Sequence, residues 1–406
     1  MQRKKIKIIN DPIYGFIQID EGCIFDVVEH PYFQRLRNIK QLGLTHLVYP
    51  GAMHTRFHHA LGAMHLMSRA IDVLRDKGVE ILEEEASAAK TAILLHDIGH
   101  GPFSHVLEHS ILHEVPHEYV SGLFMNQLNK EFDGKLTMAI EIFKGSYQKR
   151  FLHQLVSSQL DTDRLDYLTR DSFYTGVSEG IVGLERIIQM LNVVDDQLVI
   201  DEKGIYSVEK FIMARRLMYW QVYFHKTALA ADAVLLNIFK RVRLLLQTGS
   251  NLFVPPNLRY FLEYEVDKAA LKKPEVLTIF SQLDDADIHS SIKSWQGSDD
   301  SILSLLCCSL IQRKLFKTTL QTKPFTAEYI EGEKKRVMYL LNLDEEEVNY
   351  FIYVGKAANK AYQTSTNNIM IKRKNGELIE LSKASDNYNF SSRKQDVVKY
   401  FICTPK

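Results

Sequence analysis

Over the first twenty positions apolar residues alternate with polar ones (Ile6, Ile8; Ile17, Ile19) around Asn10–Gly15, the pattern of a short β-hairpin. From Phe25 to about Leu246 the apolar spacing lengthens to three and four residues, which predicts helices, most clearly over Ala88–Leu95, Leu184–Leu191 and Val208–Val222. Pro255-Pro256 breaks that rhythm, and helices are expected again around Leu258–Val266 and Ile302–Leu315. Further on, Phe351–Val354, Ile369–Ile371, Leu378–Leu381 and Val397–Ile402 read as strands, with Asn375-Gly376 a strong hairpin-turn signal. No internal repeat or low-complexity tract interrupts the chain. The expected fold is mainly α: a β-hairpin segment over 1–24, an all-helical core over 25–320, and a smaller α+β lobe over 321–406.

Composition narrows the class without deciding it. The chain has 406 residues, 46% hydrophobic and 25% charged, enough for a large buried core. Fifty basic residues balance fifty acidic ones, so no global field points to a nucleic-acid or membrane partner. Cys23, Cys307, Cys308 and Cys403 form no CxxC pair and no disulfide framework, as expected in a reducing cytoplasm. The opening MQRKKIK is basic, but no apolar run of signal-peptide or membrane-span length follows it. A soluble cytoplasmic protein is expected. Histidine changes the picture: of 15 in the chain, 12 fall between His30 and His117. That density points to metal or acid–base chemistry.

Three segments carry the chemistry: Arg56-Phe-His-His59-Ala-Leu-Gly62, His96-Asp97-Ile-Gly-His100-Gly-Pro-Phe-Ser-His105, and Asp161-Thr-Asp163-Arg-Leu-Asp166-Tyr167-Leu-Thr-Arg170-Asp171. Adjacent His96 and Asp97 close an apolar helix, so both can reach a cation lodged beside it. His59 and Asp163 would complete a set of two imidazoles and two carboxylates. Such a set suits Mn²⁺, Fe²⁺, Zn²⁺ or Mg²⁺ and leaves positions open for water and substrate. Arg56 precedes His59 by three residues and shares its helical face, where it can offer a bidentate donor to a phosphate. Spacings of three and four put Asp163, Tyr167 and Arg170/Asp171 along one helix.

In this order the segments resemble the HD-domain deoxynucleoside triphosphate triphosphohydrolases. The resemblance runs from about Lys7 to Asp232, through Asn10-Asp-Pro-Ile-Tyr-Gly15, Phe33-Gln-Arg-Leu-Arg-Asn-Ile-Lys-Gln-Leu-Gly43, Pro50–Phe57 and His117-Glu118, and reaches Arg215, Tyr223, His225 and Lys226. It implies an HD-type helical core and hydrolysis of a dNTP to deoxynucleoside and triphosphate. His59, His96, Asp97 and Asp163 are then the metal ligands, with a further Mg²⁺ able to accompany the substrate. His105 resembles the acid that protonates the 5′-oxygen, and His100 and His117 the phosphate-side partners. Tyr167 matches a residue set against the deoxyribose, Asp171 one on the 3′-hydroxyl, and Gln41 one near sugar and base; Arg215 and Tyr223 match other substrate contacts. Lys7, Gln34 and Arg37 match residues that hold an activating nucleotide in vertebrate members, which implies a homo-oligomer, dimer or tetramer, with an allosteric site between subunits. There are departures. Arg164 stands where vertebrate members have a phosphate-binding lysine, keeping charge but not geometry. Tyr219 and Trp220 replace polar residues, and Glu29 replaces an aspartate at the activator's base.

Rival readings are weaker. His113-Glu-Val-Pro-His117 matches the HExxH zinc-protease pattern, but Pro116 opposes the helix that pattern needs. His105-Val-Leu-Glu-His109 matches its inverse, with no evident third ligand. A catalytically silent nucleotide sensor is disfavoured by the complete ligand set. An HD phosphodiesterase or nuclease is the nearer alternative: from Gly355 onward ten Lys/Arg face four Asp/Glu, a charge that suits a polyanion, although a solvated face or subunit contact explains it as well. His46, His54, His58 and His65 read as surface or supporting groups, Cys307-Cys308 as core. The aromatic run Tyr219, Trp220, Tyr223, Phe224 reads as packing, with Tyr223 alone facing substrate.

Overall fold

The structure, a computed structural model, describes residues 6–20, 22–103, 106, 110–112, 115–359, 368–386 and 397–406. The N-terminal hairpin is present: β1 (Ile6–Asp11) pairs antiparallel with β2 (Gly15–Asp20). Ile17 and Ile19 turn into the core, while Ile6, Ile8 and Phe16 stay exposed, as the period of two requires. Asp11 closes the turn and anchors it. Its Oδ1 accepts the Ile13 and Tyr14 backbone N–H groups at 2.9 and 3.0 Å, and its Oδ2 accepts from Arg170 Nη1 at 2.8 Å.

The core is helical. A helix over Arg56–Asp76 is buried on almost every side, from Phe57 to Leu74. It packs between the Glu83–Leu95 and Thr162–Thr175 helices. Asp161 caps the latter, accepting the Arg164 N–H at 2.7 Å. Beyond it, the Ile205–Met218 helix runs into a π-helical turn over Tyr219–Tyr223 and then the long Lys226–Gln247 helix. Helices over Pro256–Glu263 and Ser301–Ile311 follow the Pro255-Pro256 break. Mainly α, with a terminal hairpin and further sheets drawn from the C-terminal part, is the fold class the pattern indicated. No helix among the described residues is long and apolar enough to cross a membrane.

One departure lies inside the stretch read as continuously helical. The Leu184 helix stops at Gln189, and β3 (Leu191–Val194) pairs with β4 (Gln197–Asp201). Asp195 and Asp196, at φ 48° and 59°, form the two-residue turn, a conformation short acidic side chains tolerate. The hairpin is stabilised by remote sequence: β5 (Lys317–Gln321) and β6 (Tyr353–Asn359) are followed by β7 (Met370–Lys372), which pairs parallel with β4. β8 (Leu378–Glu380) adds to β7 across the Asn375-Gly376 turn, where Gly376 takes φ 87°, and completes the order β3-β4-β7-β8. A third sheet has the order β5-β9-β6, with β9 (Val397–Thr404) central.

The Asp11–Arg170 pair should be measurable in stability. Both side chains are buried, and removing one partner of such a pair strands the other's charge. Asp11→Ala is expected to cost about 3 kcal/mol, the low end of that range because Arg170 keeps Asp166. An unchanged urea midpoint for this variant would contradict the anchoring role.

Candidate metal centre and its cavity

The three sequence segments converge. His59, on the second residue pair of its helix, is fully buried; its Nδ1 bonds Asp166 Oδ2 at 2.7 Å. His96 caps the Glu83–Leu95 helix, and its Nδ1 bonds the Ile93 carbonyl at 2.6 Å. With both Nδ1 atoms engaged, both Nε2 atoms point the same way. Asp163 Oδ1 lies 3.1 Å from His59 Nε2 and 3.4 Å from His96 Nε2, yet neither nitrogen makes a well-directed hydrogen bond. Asp97 stands beside them, Oδ1 3.3 Å from His96 Nε2 and Oδ2 3.8 Å from His59 Nε2. Buried imidazole nitrogens converging on carboxylates without proper hydrogen bonds fit a divalent cation. His59, His96 and Asp163 form one group able to hold a metal; Asp97, His100 and His117 form a second beside it.

Electrostatics agree with that fit. Burial works against a charged His59, but the Asp163 and Asp166 carboxylates beside it outweigh that and raise its pKa to about 10. Burial opposes ionisation of Asp163 too, yet His59 and His96 hold it well below the usual carboxylate range. A cation seated there takes the place of shared protons. Burial is also the largest influence on His100, and with the neighbouring Arg56 guanidinium it depresses that imidazole well below its ordinary value. His100 is therefore neutral, stacked on His117 at 3.7 Å between ring centroids.

The scaffold around these groups is specific. Arg170 grips Asp166 through Nε and Nη2, both at 3.0 Å, so the charge chain Asp11–Arg170–Asp166–His59 leads from the hairpin to the centre. Gly62 makes room for it: a Cβ there would collide with the Asp166 carboxylate and the Arg170 guanidinium. Arg35, buried, donates to the Ile98 and His100 carbonyls at 2.8 Å each and fixes the turn after Asp97. Ser121 braces the same turn, donating to the His96 carbonyl at 2.7 Å and accepting from the Gly99 N–H at 2.9 Å.

The centre opens into a cavity of about 520 Å³ lined by His96, Asp97, Asp163 and most of the other candidates. Gln41, Arg56, His100, His117, Arg164, Tyr167, Asp171 and Tyr223 all reach its wall. Arg56 Nη1 donates to Asp97 Oδ2 at 2.7 Å. Arg164 Nε donates to the Ser158 carbonyl at 2.7 Å. Asp171 accepts from His54 and from the Tyr223 hydroxyl, each at 2.7 Å. Tyr167 meets Tyr223 edge-to-face, 6.2 Å between centroids. On their shared helix Asp163, Tyr167 and Asp171 face the cavity, whereas Arg170 faces the hairpin.

Other candidates lie elsewhere. Arg215 is buried but is not on the cavity wall; its guanidinium lies 5.9 Å from the Tyr219 ring. Lys7 pairs with Glu29, Gln34 donates to the Val28 carbonyl at 2.6 Å, and Arg37 donates to Gln34 at 2.7 Å while lying 3.6 Å over the Phe57 ring. His105 lies outside the described residues, as do His109, His113 and Glu114 of the two protease-like patterns. Sequence reasoning also missed cavity residues. Tyr219 and Phe224 line it, although they read as packing, because the π-turn fans the aromatic run outward. His54 is a buried partner of Asp171, and Asp232 lines the wall; its signal is a lone acid in an apolar helix.

Comparison with known proteins agrees. The HD domain model matches residues 56–170, and the HD associated region matches 182–248. The chain belongs to the HD-domain phosphohydrolases, in the branch that includes the deoxynucleoside triphosphate triphosphohydrolases. It is 33% identical over 396 residues to the uncharacterised protein YwfO of Bacillus subtilis, covering 93% of this chain and 88% of that one. A crystal structure of a phosphohydrolase from Bacteroides thetaiotaomicron superposes with a TM-score of 0.96 at 48% identity, over 99% of this chain and 100% of the other. The deoxynucleoside triphosphate triphosphohydrolase SAMHD1 homolog of Dictyostelium discoideum is 31% identical over 272 residues, 62% of this chain and 52% of that protein.

If His59 is a ligand, the carboxylate behind it matters. Asp166→Asn, which keeps the shape but not the charge, is expected to weaken divalent-metal retention by roughly 10–100-fold. Competition against a fluorescent chelator reads this directly, and an unaltered affinity would remove His59 from the ligand set.

Proposed function

We propose that the chain hydrolyses deoxynucleoside triphosphates to deoxynucleoside and intact triphosphate. The observation that carries this reading is the union, in one cavity, of a metal-suited His/Asp set with Arg56, Arg164 and the Tyr167–Tyr223 pair. Its volume of about 520 Å³ suits a nucleotide-sized ligand. The similar Dictyostelium protein is named as a deoxynucleoside triphosphate triphosphohydrolase homolog, which supports the same substrate class.

His59, His96, Asp97 and Asp163 would hold a divalent ion, Mn²⁺, Fe²⁺, Zn²⁺ or Mg²⁺, which when bound supplies Lewis-acid polarisation of a phosphoryl oxygen. Arg56, fixed by Asp97, directs guanidinium N–H groups at the phosphate. Neutral His100 donates a hydrogen bond to a phosphate oxygen without first losing a charge, and His117 stacks behind it. Arg164 adds fixed positive charge, since Asp161 beside it outweighs the opposing effect of burial. By resemblance His105 protonates the departing 5′-oxygen. Asp171 has lone pairs beyond the two used by His54 and Tyr223, enough to accept a 3′-hydroxyl. Lys7, Gln34 and Arg37 belong to the same proposal as an activator site; Arg37 rests on Phe57, next to Arg56, which gives such a site a short route to the centre.

Two outcomes test this reading. With a dNTP and Mn²⁺ or Mg²⁺, phosphorus NMR is expected to find triphosphate as the sole phosphorus product. Pyrophosphate with monophosphate, or diphosphate with orthophosphate, would overturn it. Tyr167 set against the sugar edge should exclude a 2′-hydroxyl, so the wild type should turn over dATP and hardly any ATP. Tyr167→Ala should then gain measurable ATP hydrolysis, and equal wild-type rates on the two nucleotides would refute the sugar assignment.

A further inference from the structure

The Lys226–Gln247 helix presents one acid in an otherwise apolar run, Ala228-Leu-Ala-Ala-Asp232-Ala-Val-Leu-Leu236. Ala231 and Ala233 on either side are buried, and the Asp232 side chain lines the cavity wall. Among the described residues nothing offers it a hydrogen bond or an opposite charge, and burial alone pushes its carboxyl up to about 7. Cations on the same wall are committed elsewhere: Lys40 to Asp285 at 3.2 Å and Arg164 to the Ser158 carbonyl at 2.7 Å. A carboxyl half-buried in a cavity wall, with no protein partner, is placed to meet the donor groups of a ligand.

Its position says which part of a ligand. The helix that carries it packs on β5 and β9, and Tyr353 and Cys403 of that sheet feel its charge, whereas among the described residues no metal-side group does. The metal-side residues interact instead among themselves and with Arg56. The same helix packs on the Gly43–Leu47 turn, and Gln41, just before that turn, has a buried side-chain oxygen that is likewise without a partner. Leu42, Leu44 and Phe224 supply apolar wall on the same cavity. Apolar walls with two unsatisfied polar groups describe a slot for a flat heterocycle.

We propose that Asp232 reads the nucleobase, favouring guanine and disfavouring thymine. A carboxylate only accepts hydrogen bonds. Guanine offers N1–H and the 2-amino group side by side, a bidentate match. Adenine and cytosine offer one amino group each. Thymine offers N3–H between two carbonyl oxygens, which repel the carboxylate. The inference rests on the dNTP reading above.

The test compares kcat/KM for the four dNTPs, at pH 8, where the carboxylate form prevails, in wild type, Asp232→Asn and Asp232→Ser. Wild type should rank dGTP first and dTTP last. Both variants should lower the dGTP-to-dTTP ratio by about 10-fold or more, the worth of a bidentate base contact. A wild type that prefers dTTP, or variants whose ratio stays within about twofold of wild type's, would overturn the assignment. If no dNTP is turned over, the proposed function fails rather than this inference. The same ratio is then read from equilibrium binding of dGTP and dTTP. Wild-type ranking alone still decides if either variant fails to fold.

Discussion

Four charged side chains in a row, Asp11, Arg170, Asp166 and His59, are buried together and bonded end to end. Taking such groups from water costs several kcal/mol each unless every one is paired. The pairing therefore dictates where the hairpin, the Arg56–Asp76 helix and the Thr162–Thr175 helix must meet. It also dictates chemistry. Asp166 holds the proton-bearing Nδ1 of His59, so Nε2 must turn towards Asp163. The N-terminal hairpin is remote in sequence from the centre, yet its Asp11 fixes the Arg170 that fixes the rest. Gly62 is the steric condition of the arrangement, since a methyl group would occupy the space the ion pair fills.

Within the same few ångströms, environment shifts three histidines in two opposite directions. Partner carboxylates outweigh burial for His59 and His96, and favour their charged or metal-bound forms. Burial and Arg56 keep His100 neutral. Both settings suit a centre that binds a cation and a polyanion: the carboxylates that favour positive charge at His59 and His96 favour a metal ion in the proton's place, and a neutral His100 can still donate a hydrogen bond.

The centre was largely legible in the sequence because its geometry is local. His96 and Asp97 are adjacent at a helix end, and spacings of four set Asp163, Tyr167 and Asp171 on one face, Asp166 and Arg170 on another. What escaped depends on non-local or irregular structure. The β3–β4 hairpin is short, and its third strand, β7, comes from far along the chain, so a helical period in the flanks masked it. The π-turn at Tyr219–Tyr223 adds a residue to the helical cycle, so Tyr219 and Phe224, read as packing, reach the cavity wall beside Tyr223. His54 precedes its helix, where no periodicity speaks for it. The N-terminal hairpin, by contrast, was plain from alternation, because its two strands are neighbours in sequence.

The central place of β9 has a consequence for how the molecule comes into being. Its two neighbours, β5 and β6, leave the ribosome before it and have no ladder partner in each other. During synthesis they wait with unpaired edges, and the sheet closes only when the strand between them emerges. Thr318 of β5 donates to the Lys226 carbonyl at the start of the cavity-lining helix, and Cys403 of β9 lies against Thr318. The start of the helix that carries Asp232 is therefore braced by a sheet that is complete only once β9 has been made, after every residue of the His/Asp cluster.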